Sequence, residues 1–238
     1  MATLGYLTGY LVPYDYTVIT ELHFEGSEGS LGNGAYTDDA PSPLTWGAAN
    51  SNGLIAAAAV YEGTRGLDLR SSRAIWQPSH YVGVGDSGFN FGSDDFTIEL
   101  STYFVTVPTT AGHYRLMIAK DDVASTRGWN FLSDGDNGGR VGFNIFSGGT
   151  PYSVRWSTVP SATTWYRFKA ERLGNDLNLY VDTGSGYTLV DTADVTGVSV
   201  NSTSHPVGMG VLKNGGQIIP SSYHNGFMDY LLVRRKYP

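Results

Sequence analysis

The sequence of 238 residues contains no cysteine, so it has neither disulfides nor thiolate metal ligands. Stability must then come from packing, and a chain of this length can bury roughly 70 % of its unfolded surface as one domain. Charged residues are also few. The sequence has 15 Lys and Arg and 22 Asp and Glu, which gives a net charge of −7. This balance argues against binding to nucleic acid through phosphate groups.

Long hydrophobic runs are missing as well. The longest apolar stretch, Leu54–Tyr61, is far shorter than the roughly 20 residues that a membrane-spanning helix needs. Four of its residues are alanine, which permits about two helical turns at this place. The first residues carry neither a charged n-region nor an apolar h-region, so the sequence predicts no signal peptide. We therefore expect no membrane insertion and no signal-dependent export.

Aromatic residues and glycine are plentiful. The 16 Tyr, 10 Phe and 31 Gly favour strands and tight turns over helices. A period-two alternation begins at Asp95, and it predicts that Phe96, Ile98, Leu100 and Phe104 face a core while their neighbours face water. The same alternation appears in three later segments: Val141–Ile145, Tyr166–Ala170 and Leu177–Val181.

Turn residues separate these predicted strands. Glu171–Asp176 and Asp134–Gly139 each contain the Gly, Asn and Asp that favour a hairpin turn. The first and last strands are predicted at Val18–Phe24 and Phe227–Val233, and Glu25–Pro43 reads as a long loop. Short strands at regular intervals, with no sustained helical period, predict an all-β fold made of two antiparallel sheets.

Five short motifs follow one another along the chain: Leu-His-Phe-Glu-Gly at 22–26, Phe-Gly-Ser-Asp-Asp-Phe-Thr-Ile-Glu at 91–99, Thr-Trp-Tyr at 164–166, Leu-Asn-Leu-Tyr-Val-Asp at 177–182 and Gly-Phe-Met-Asp at 226–229. In this order they resemble the laminin-G-like modules of the concanavalin A-like lectin and glucanase superfamily. The resemblance covers about residues 18–235 and implies a two-sheet jelly-roll sandwich with little or no helix. It divides the chain into an N-terminal arm or added strand at 1–17 and a jelly-roll domain at 18–238.

Modules of this kind occur as glycan-binding domains, as adhesion domains, as non-catalytic partners of hydrolases and on bacteriophage particles. A cysteine-free module with a short leading arm is most similar to the last group. The resemblance therefore implies a structural or adhesive virion protein, such as a head decoration, tail or fibre component, made in the host cytoplasm and displayed on the virion surface. The alternative is a free-standing carbohydrate-binding module, and a glycoside hydrolase of the same fold is the third hypothesis.

The leading arm carries four tyrosines among glycine and proline: Tyr6, Tyr10, Tyr14 and Tyr16. Virion proteins of this kind are usually symmetric homo-oligomers, and a trimer is our expectation. We expect the arm to contact other virion proteins or further copies of this chain. A strand that closes one sheet of the sandwich is the alternative for the same residues.

Catalytic motifs are missing from the sequence. Hydrolases of this superfamily use a Glu-x-Asp-x-x-Glu pattern, because retaining hydrolysis needs two carboxyl groups about 5–5.5 Å apart. None of the glutamates begins that pattern. The sequence also contains no Gly-x-Ser-x-Gly or His-Glu-x-x-His motif. We therefore predict a protein that is not an enzyme.

Residues suited to sugar binding gather around the hairpin at 134–139. Sandwich modules use aromatic faces for the CH groups of a sugar and Asp or Asn for its hydroxyls. The predicted ligand-binding residues, with cell-surface glycans as ligand, are Trp129, Asp134, Asp136, Asn137, Tyr152 and Trp156. Asp134 and Asp136 also have the spacing of calcium loops, so calcium is an alternative to a plain turn, although no cofactor is required. Trp165 stands directly before a predicted strand, and we expect it to lie in the core.

Overall fold

The computed structural model describes residues 16–25, 38–44, 46–48, 54–57, 60–70, 75–76, 87–123, 126–205, 207–210, 213–214, 217–218 and 220–236. These residues form two large antiparallel sheets and a two-stranded ribbon, and none of them is in an α-helix. The predicted all-β sandwich is confirmed. Within the described ranges, no helix has the length and hydropathy that a bilayer crossing requires.

The first sheet has eight strands: β1 (Tyr16–Leu22), β3 (Leu54–Ala56), β4 (Gly66–Asp68), β6 (Asp95–Phe104), β11 (Trp165–Leu173), β12 (Asp176–Asp182), β13 (Thr188–Asp194) and β17 (Gly226–Lys236). Their order across the sheet is β13-β12-β11-β6-β17-β4-β3. The long strand β17 pairs with β6 along one edge, while β4 and β1 share its other edge. Strands β11, β6, β17 and β4 are therefore consecutive neighbours.

The second sheet has seven strands: β2 (Gly47–Ala48), β5 (Ile75–Trp76), β7 (Tyr114–Lys120), β8 (Trp129–Asp134), β9 (Arg140–Ser147), β10 (Thr150–Arg155) and β14 (Gly208–Met209). Their order is β10-β9-β8-β7-β14-β5-β2. The ribbon consists of β15 (Lys213–Asn214) and β16 (Gln217–Ile218).

The core lies between the two sheets and follows the inward half of the predicted alternation, whereas Thr97 and Ser101, expected to face water, are buried as well. On β6 the side chains of Phe96, Ile98, Leu100 and Phe104 are fully buried. The later segments bury Val141, Phe143 and Ile145, then Tyr166, Phe168 and Ala170, then Leu177, Leu179 and Val181. Each buried aliphatic or phenyl side chain of this size stabilises a fold by about 1.5–3 kcal/mol, so this aromatic-rich core provides stability in a chain that has no disulfides.

Both predicted hairpins are confirmed. β11 and β12 are joined by a turn at Gly174, whose φ of 60° lies in the left-handed region that glycine tolerates. β8 and β9 are joined by a 3-10 turn at Gly135–Asn137.

Two expectations require correction. Leu54–Ala56 forms a strand rather than a helical turn, because it pairs with β4 and buries Ile55, and such tertiary pairing outweighs the weak helix propensity of alanine. Tyr16 belongs to β1, where it lies opposite Lys236, so the strand alternative applies to this residue of the predicted arm. The other three arm tyrosines, Tyr6, Tyr10 and Tyr14, lie outside the described residues, as does most of the predicted loop Glu25–Pro43.

Candidate functional site

A row of directly opposed residues crosses four neighbouring strands of the first sheet. Trp165 of β11 lies opposite Tyr103 of β6, Tyr103 lies opposite Phe227 of β17, and Phe227 lies opposite Asp68 of β4. Opposed residues of antiparallel strands project from the same face of the sheet. Their chain neighbours belong to the core: Tyr166, Phe104, Met228, Leu67 and Leu69. The row therefore faces away from the core, on the outer side of the sheet.

A groove of about 470 Å³ follows this row. Trp165, Tyr103 and Phe227 line it together with four other residues: Val60, Arg70, Val105 and Thr163. The ring centroids of Tyr103 and Trp165 are 5.6 Å apart, and those of Tyr103 and Phe227 are 5.7 Å apart. The volume lies in the range of sites for small ligands.

The segment 60–65 borders one side of the groove. Its Tyr61 ring lies 5.7 Å from the Trp165 ring. The carboxylate of Asp229 accepts hydrogen bonds from the backbone N–H groups of Tyr61, at 2.7 Å, and of Glu62. The carboxylate of Glu25 accepts hydrogen bonds from the N–H and hydroxyl groups of Thr64. Two carboxylates from other parts of the chain thus fix this segment beside Trp165.

Asp229 owes its position to a β-bulge. It is the extra residue between Met228 and Tyr230, where the register of β17 against β6 shifts, and bulges of this kind redirect a side chain. Only 2 % of its surface is exposed, and its Oδ1 atom has no hydrogen-bond partner among the described residues. Burial raises the pKa of Asp229 to about 6, because desolvation outweighs the two backbone hydrogen bonds that favour the charged form.

Arg70 supplies the polar part of the groove. Its guanidinium carbon lies 4.4 Å from the centre of the Phe227 ring. Its Nε and Nη2 atoms donate to the two carboxylate oxygens of Asp68, each at 3.0 Å. This bidentate pair fixes the guanidinium group over the Phe227 ring.

Thr163 lines the groove in a conformation that a β-branched residue rarely adopts. Its φ is 60°, in the left-handed region, and its side chain is exposed. The backbone N–H of Thr163 donates to the carbonyl oxygen of Phe104 at 2.7 Å, which helps to impose this conformation. Such strain is commonly kept where a side chain serves a function.

A buried histidine lies behind the row. His224 is fully buried, and its Nε2 atom lies 3.0 Å from the hydroxyl of Thr102. Burial lowers the pKa of His224 to about 3, so the imidazole is neutral near pH 7. Because solvent does not reach it, we assign it to packing rather than to ligand binding.

The residues that the sequence predicted at the second hairpin are held in internal contacts. The carboxylate of Asp134 accepts from the backbone N–H of Asp136 and the side-chain amide of Asn137, at 2.9 and 2.6 Å, and pairs with Arg155 at 3.3 Å. The carboxylate of Asp136 accepts from the hydroxyl of Tyr114 at 2.6 Å. Within the described ranges, no group of three or more His, Asp or Glu side chains is arranged to hold a metal ion.

The structure places the predicted aromatic residues of this region in different surroundings. Trp129 is fully buried, and its Nε1–H donates to the carbonyl oxygen of Phe89 at 2.9 Å, so it belongs to the core and not to a ligand surface. Tyr152 and Trp156 are partly buried against the core. Trp165, expected in the core, instead lines the outer groove.

No protein-family model and no curated protein matches this sequence. The fold, however, is similar to that of solved structures. One is domain 4 of AbnA, an extracellular arabinanase from Geobacillus stearothermophilus, in complex with arabinotriose, with a TM-score of 0.60, 13 % identity and 93 % of each chain covered. Another is the binding domain of botulinum neurotoxin DC in complex with SialylT, with a TM-score of 0.60 and 10 % identity.

A third similar structure is the binding domain of botulinum neurotoxin serotype D, with a TM-score of 0.61 and 10 % identity. The matches to both neurotoxin structures cover 93 % of this chain, which spans about half of their length, 49 % and 48 % respectively. Identities this low show a shared β-sandwich fold, and the groove must be interpreted from its own residues.

Proposed function

We propose that this chain is a carbohydrate-binding module that holds an oligosaccharide in the groove and does not catalyse its cleavage. The outward pair of partly exposed rings, Trp165 and Tyr103, is the observation that carries the proposal; Phe227 continues the row but is only 4 % exposed beneath Arg70. A sugar ring presents CH groups on its faces and hydroxyls on its rim, and aromatic rings bind the former. The adjoining Arg70, whose side chain is 41 % exposed and is held in place by Asp68, offers a fixed polar partner for the hydroxyls.

The fold is consistent with this function. The structures of similar fold include an arabinanase domain in complex with arabinotriose and a neurotoxin binding domain in complex with SialylT. A β-sandwich of this kind therefore supports carbohydrate binding in other proteins, and the groove supplies a place for it here.

The position of the nearby carboxyl groups supports binding without catalysis. The pKa of Asp229, about 6, suits a general acid, but its carboxyl group is buried and holds the backbone of residues 61 and 62. The carboxylate of Glu62 lies 3.8 Å from the guanidinium of Arg167. We assign these groups to positioning the segment 60–65 rather than to attack on a glycosidic bond.

A glycan array tests the proposal, with hits verified by titration calorimetry on the wild-type protein and on Trp165→Ala. We expect Trp165→Ala to weaken binding by roughly 1–3 kcal/mol, by analogy with the loss of an aromatic side chain that stacks on a nucleobase. Tyr152→Ala, which removes a partly buried aromatic side chain from the second sheet, is the matched control and should bind like the wild type. A hit whose affinity is unchanged in Trp165→Ala would place the site elsewhere.

A virion location and a homo-oligomer such as a trimer stay predictions from the sequence. An adhesive virion protein and a free-standing module would both make use of a glycan-binding groove. Light scattering on the purified protein measures the oligomeric state, and a monomer would favour the free-standing module.

A further inference from the structure

We infer that the groove selects neutral oligosaccharides over glycans that carry a carboxylate. This inference rests on the proposed function and names the chemical class of its ligand. Other proteins of this fold are found with different carbohydrates, so the fold does not decide the class. The charges around the groove determine which class of carbohydrate it accepts.

The cation that lines the groove is already neutralised. Arg70 directs two of its N–H groups at Asp68, whose side chain is 2 % exposed and whose charge cannot turn away into solvent. Arginine recognises a sugar carboxylate through the same two parallel N–H groups, which donate to both carboxylate oxygens. A sialic or uronic acid in the groove would therefore compete with Asp68 and would also face its negative charge.

The next cation along the same face is compensated as well. Arg167 is two residues beyond Trp165 on β11, so its side chain leaves the sheet on the same side. Its Nη1 atom lies 3.8 Å from the carboxylate of Glu62, which is 53 % exposed and stands beside Tyr61. This pair adds no net positive charge to the rim.

Asp229 makes the balance negative. Its carboxyl group lies behind the backbone of residues 61 and 62 and is largely ionised at pH values above about 6. Buried charges are screened by salt much less than exposed ones, so its field reaches the groove. Arg65, at the end of the segment 60–65, is also paired, because it acts on the carboxylate of Glu25 and helps to lower the pKa of that group. Among the described residues around the groove, three such pairs and the carboxylate of Asp229 therefore leave no excess of cations, in a chain whose net charge is −7.

Matched glycans separate this inference from the proposed function. The array contains arabino-, xylo-, manno-, gluco- and galacto-oligosaccharides, each with a counterpart of equal length that carries one uronic or sialic acid. Calorimetry then compares the best binder with its counterpart at low and at high salt. We expect the tightest Trp165-dependent ligand to be neutral and its acidic counterpart to bind more weakly, most clearly at low salt.

Each other outcome contradicts a defined claim. If the tightest Trp165-dependent ligand is acidic and loses affinity with added salt, the inference is overturned while the proposed function stands. If no glycan binds, or if Trp165→Ala binds as well as the wild type, the proposed function fails and the inference fails with it.

Asp68→Asn provides a second test that acts on charge alone. Removal of the counter-charge frees the Arg70 fork, so acidic glycans should gain up to about fivefold in affinity relative to their neutral counterparts, the upper range for an exposed ion pair. Circular dichroism and thermal unfolding verify that the variant is folded. An unchanged ratio in a folded variant would contradict the role given to the Arg70–Asp68 pair, and the wild-type comparison remains decisive if Asp68→Asn does not fold.

Discussion

Trp165 and Tyr103 face each other across β11 and β6, with ring centroids 5.6 Å apart and ring planes inclined by 57°. Tyr61 contacts the indole from the segment 60–65, at 5.7 Å. The indole is therefore held by two tyrosines that come from distant parts of the chain. A platform that is ordered before the ligand arrives loses little side-chain entropy on binding, which favours affinity.

Replacement of the strained threonine should separate stability from binding. Thr163→Gly relieves a left-handed backbone that a β-branched side chain disfavours, so we expect the free energy of unfolding to rise by about 1 kcal/mol. Urea unfolding measures the change. Thr164→Gly, at the next exposed position without a positive φ, is the control and should lower stability slightly.

The same variant should weaken glycan binding if the Thr163 side chain contacts the ligand at the rim of the groove. A Thr163→Gly protein that is less stable than the wild type would contradict the strain that we assign to this residue.

Asp229 should make stability depend on pH in an unusual direction. Its pKa rises from an ordinary 3.8 to about 6 in the folded state, so between these values the folded protein holds a proton that the unfolded chain has released. This group therefore contributes less stability as the pH rises through that window. Asp229→Asn removes this titration. The free energy of unfolding of the variant minus that of the wild type should therefore increase by about 1 kcal/mol between pH 4 and pH 7, after allowance for solvent screening.

Urea unfolding of both proteins across this pH range provides the comparison. His224, whose lowered pKa acts in the opposite direction, is present in both proteins and cancels in the difference. A stability difference that does not change with pH would show that Asp229 is not the titrating group.

Gly226 should be intolerant of any side chain. A Cβ atom at this position would overlap the carbonyl oxygen of Tyr103 and come within 2.7 Å of Nε2 of His224. Gly226→Ala should therefore cost more than about 2 kcal/mol of stability, because strands β6 and β17 must separate, and should also disturb the Tyr103–Phe227 pair. Gly148→Ala is the control, since it adds strain at a φ of 54° but meets no atom within 4 Å.

Thermal unfolding of the two variants measures this contrast. A loss in Gly226→Ala no larger than that in Gly148→Ala would contradict the close approach of β6 to β17 that we assign to Gly226.

The hairpin at Gly135–Asn137 should be insensitive to chelators. Its carboxylates already accept hydrogen bonds from backbone, amide and tyrosine donors, as in a capped turn. We expect EDTA to leave the midpoint of thermal unfolding unchanged. If EDTA lowers the midpoint of thermal unfolding and added calcium restores it, Asp134 and Asp136 would be calcium ligands rather than parts of a plain turn.

Much of the fold could be predicted from the sequence because its signals are local. The alternation from Phe96 to Phe104 and the Gly-Asn-Asp turn after Leu173 each act over a few residues. The structure confirms the turn and the core-facing residues of the alternation, but it buries Thr97 and Ser101, which were expected to face water. The strand at Leu54–Ala56 was not predicted, since its stability comes from pairing with β4, which local propensity does not reveal.

The candidate site could not be predicted, because it depends on register between distant strands. Trp165, Tyr103 and Phe227 meet only through the order β11-β6-β17, and a shift of one residue would turn each of them to the core. The sequence did hold one signal that was missed. Trp129 is two residues before Phe131 and therefore shares its face of β8, and both belong to the core, so a core position could have been predicted for it.

The resonances of the tryptophan indole N–H groups in a ¹⁵N-labelled sample test the central claim most directly. During titration with the tightest glycan, we expect the Trp165 signal to shift in a saturable way, while the signals of the buried Trp46 and Trp129 stay in place. Assignment relies on the Trp165→Ala spectrum. Saturable shifts at Trp156 with none at Trp165 would overturn the assignment of the groove as the glycan site and place that site on the second sheet.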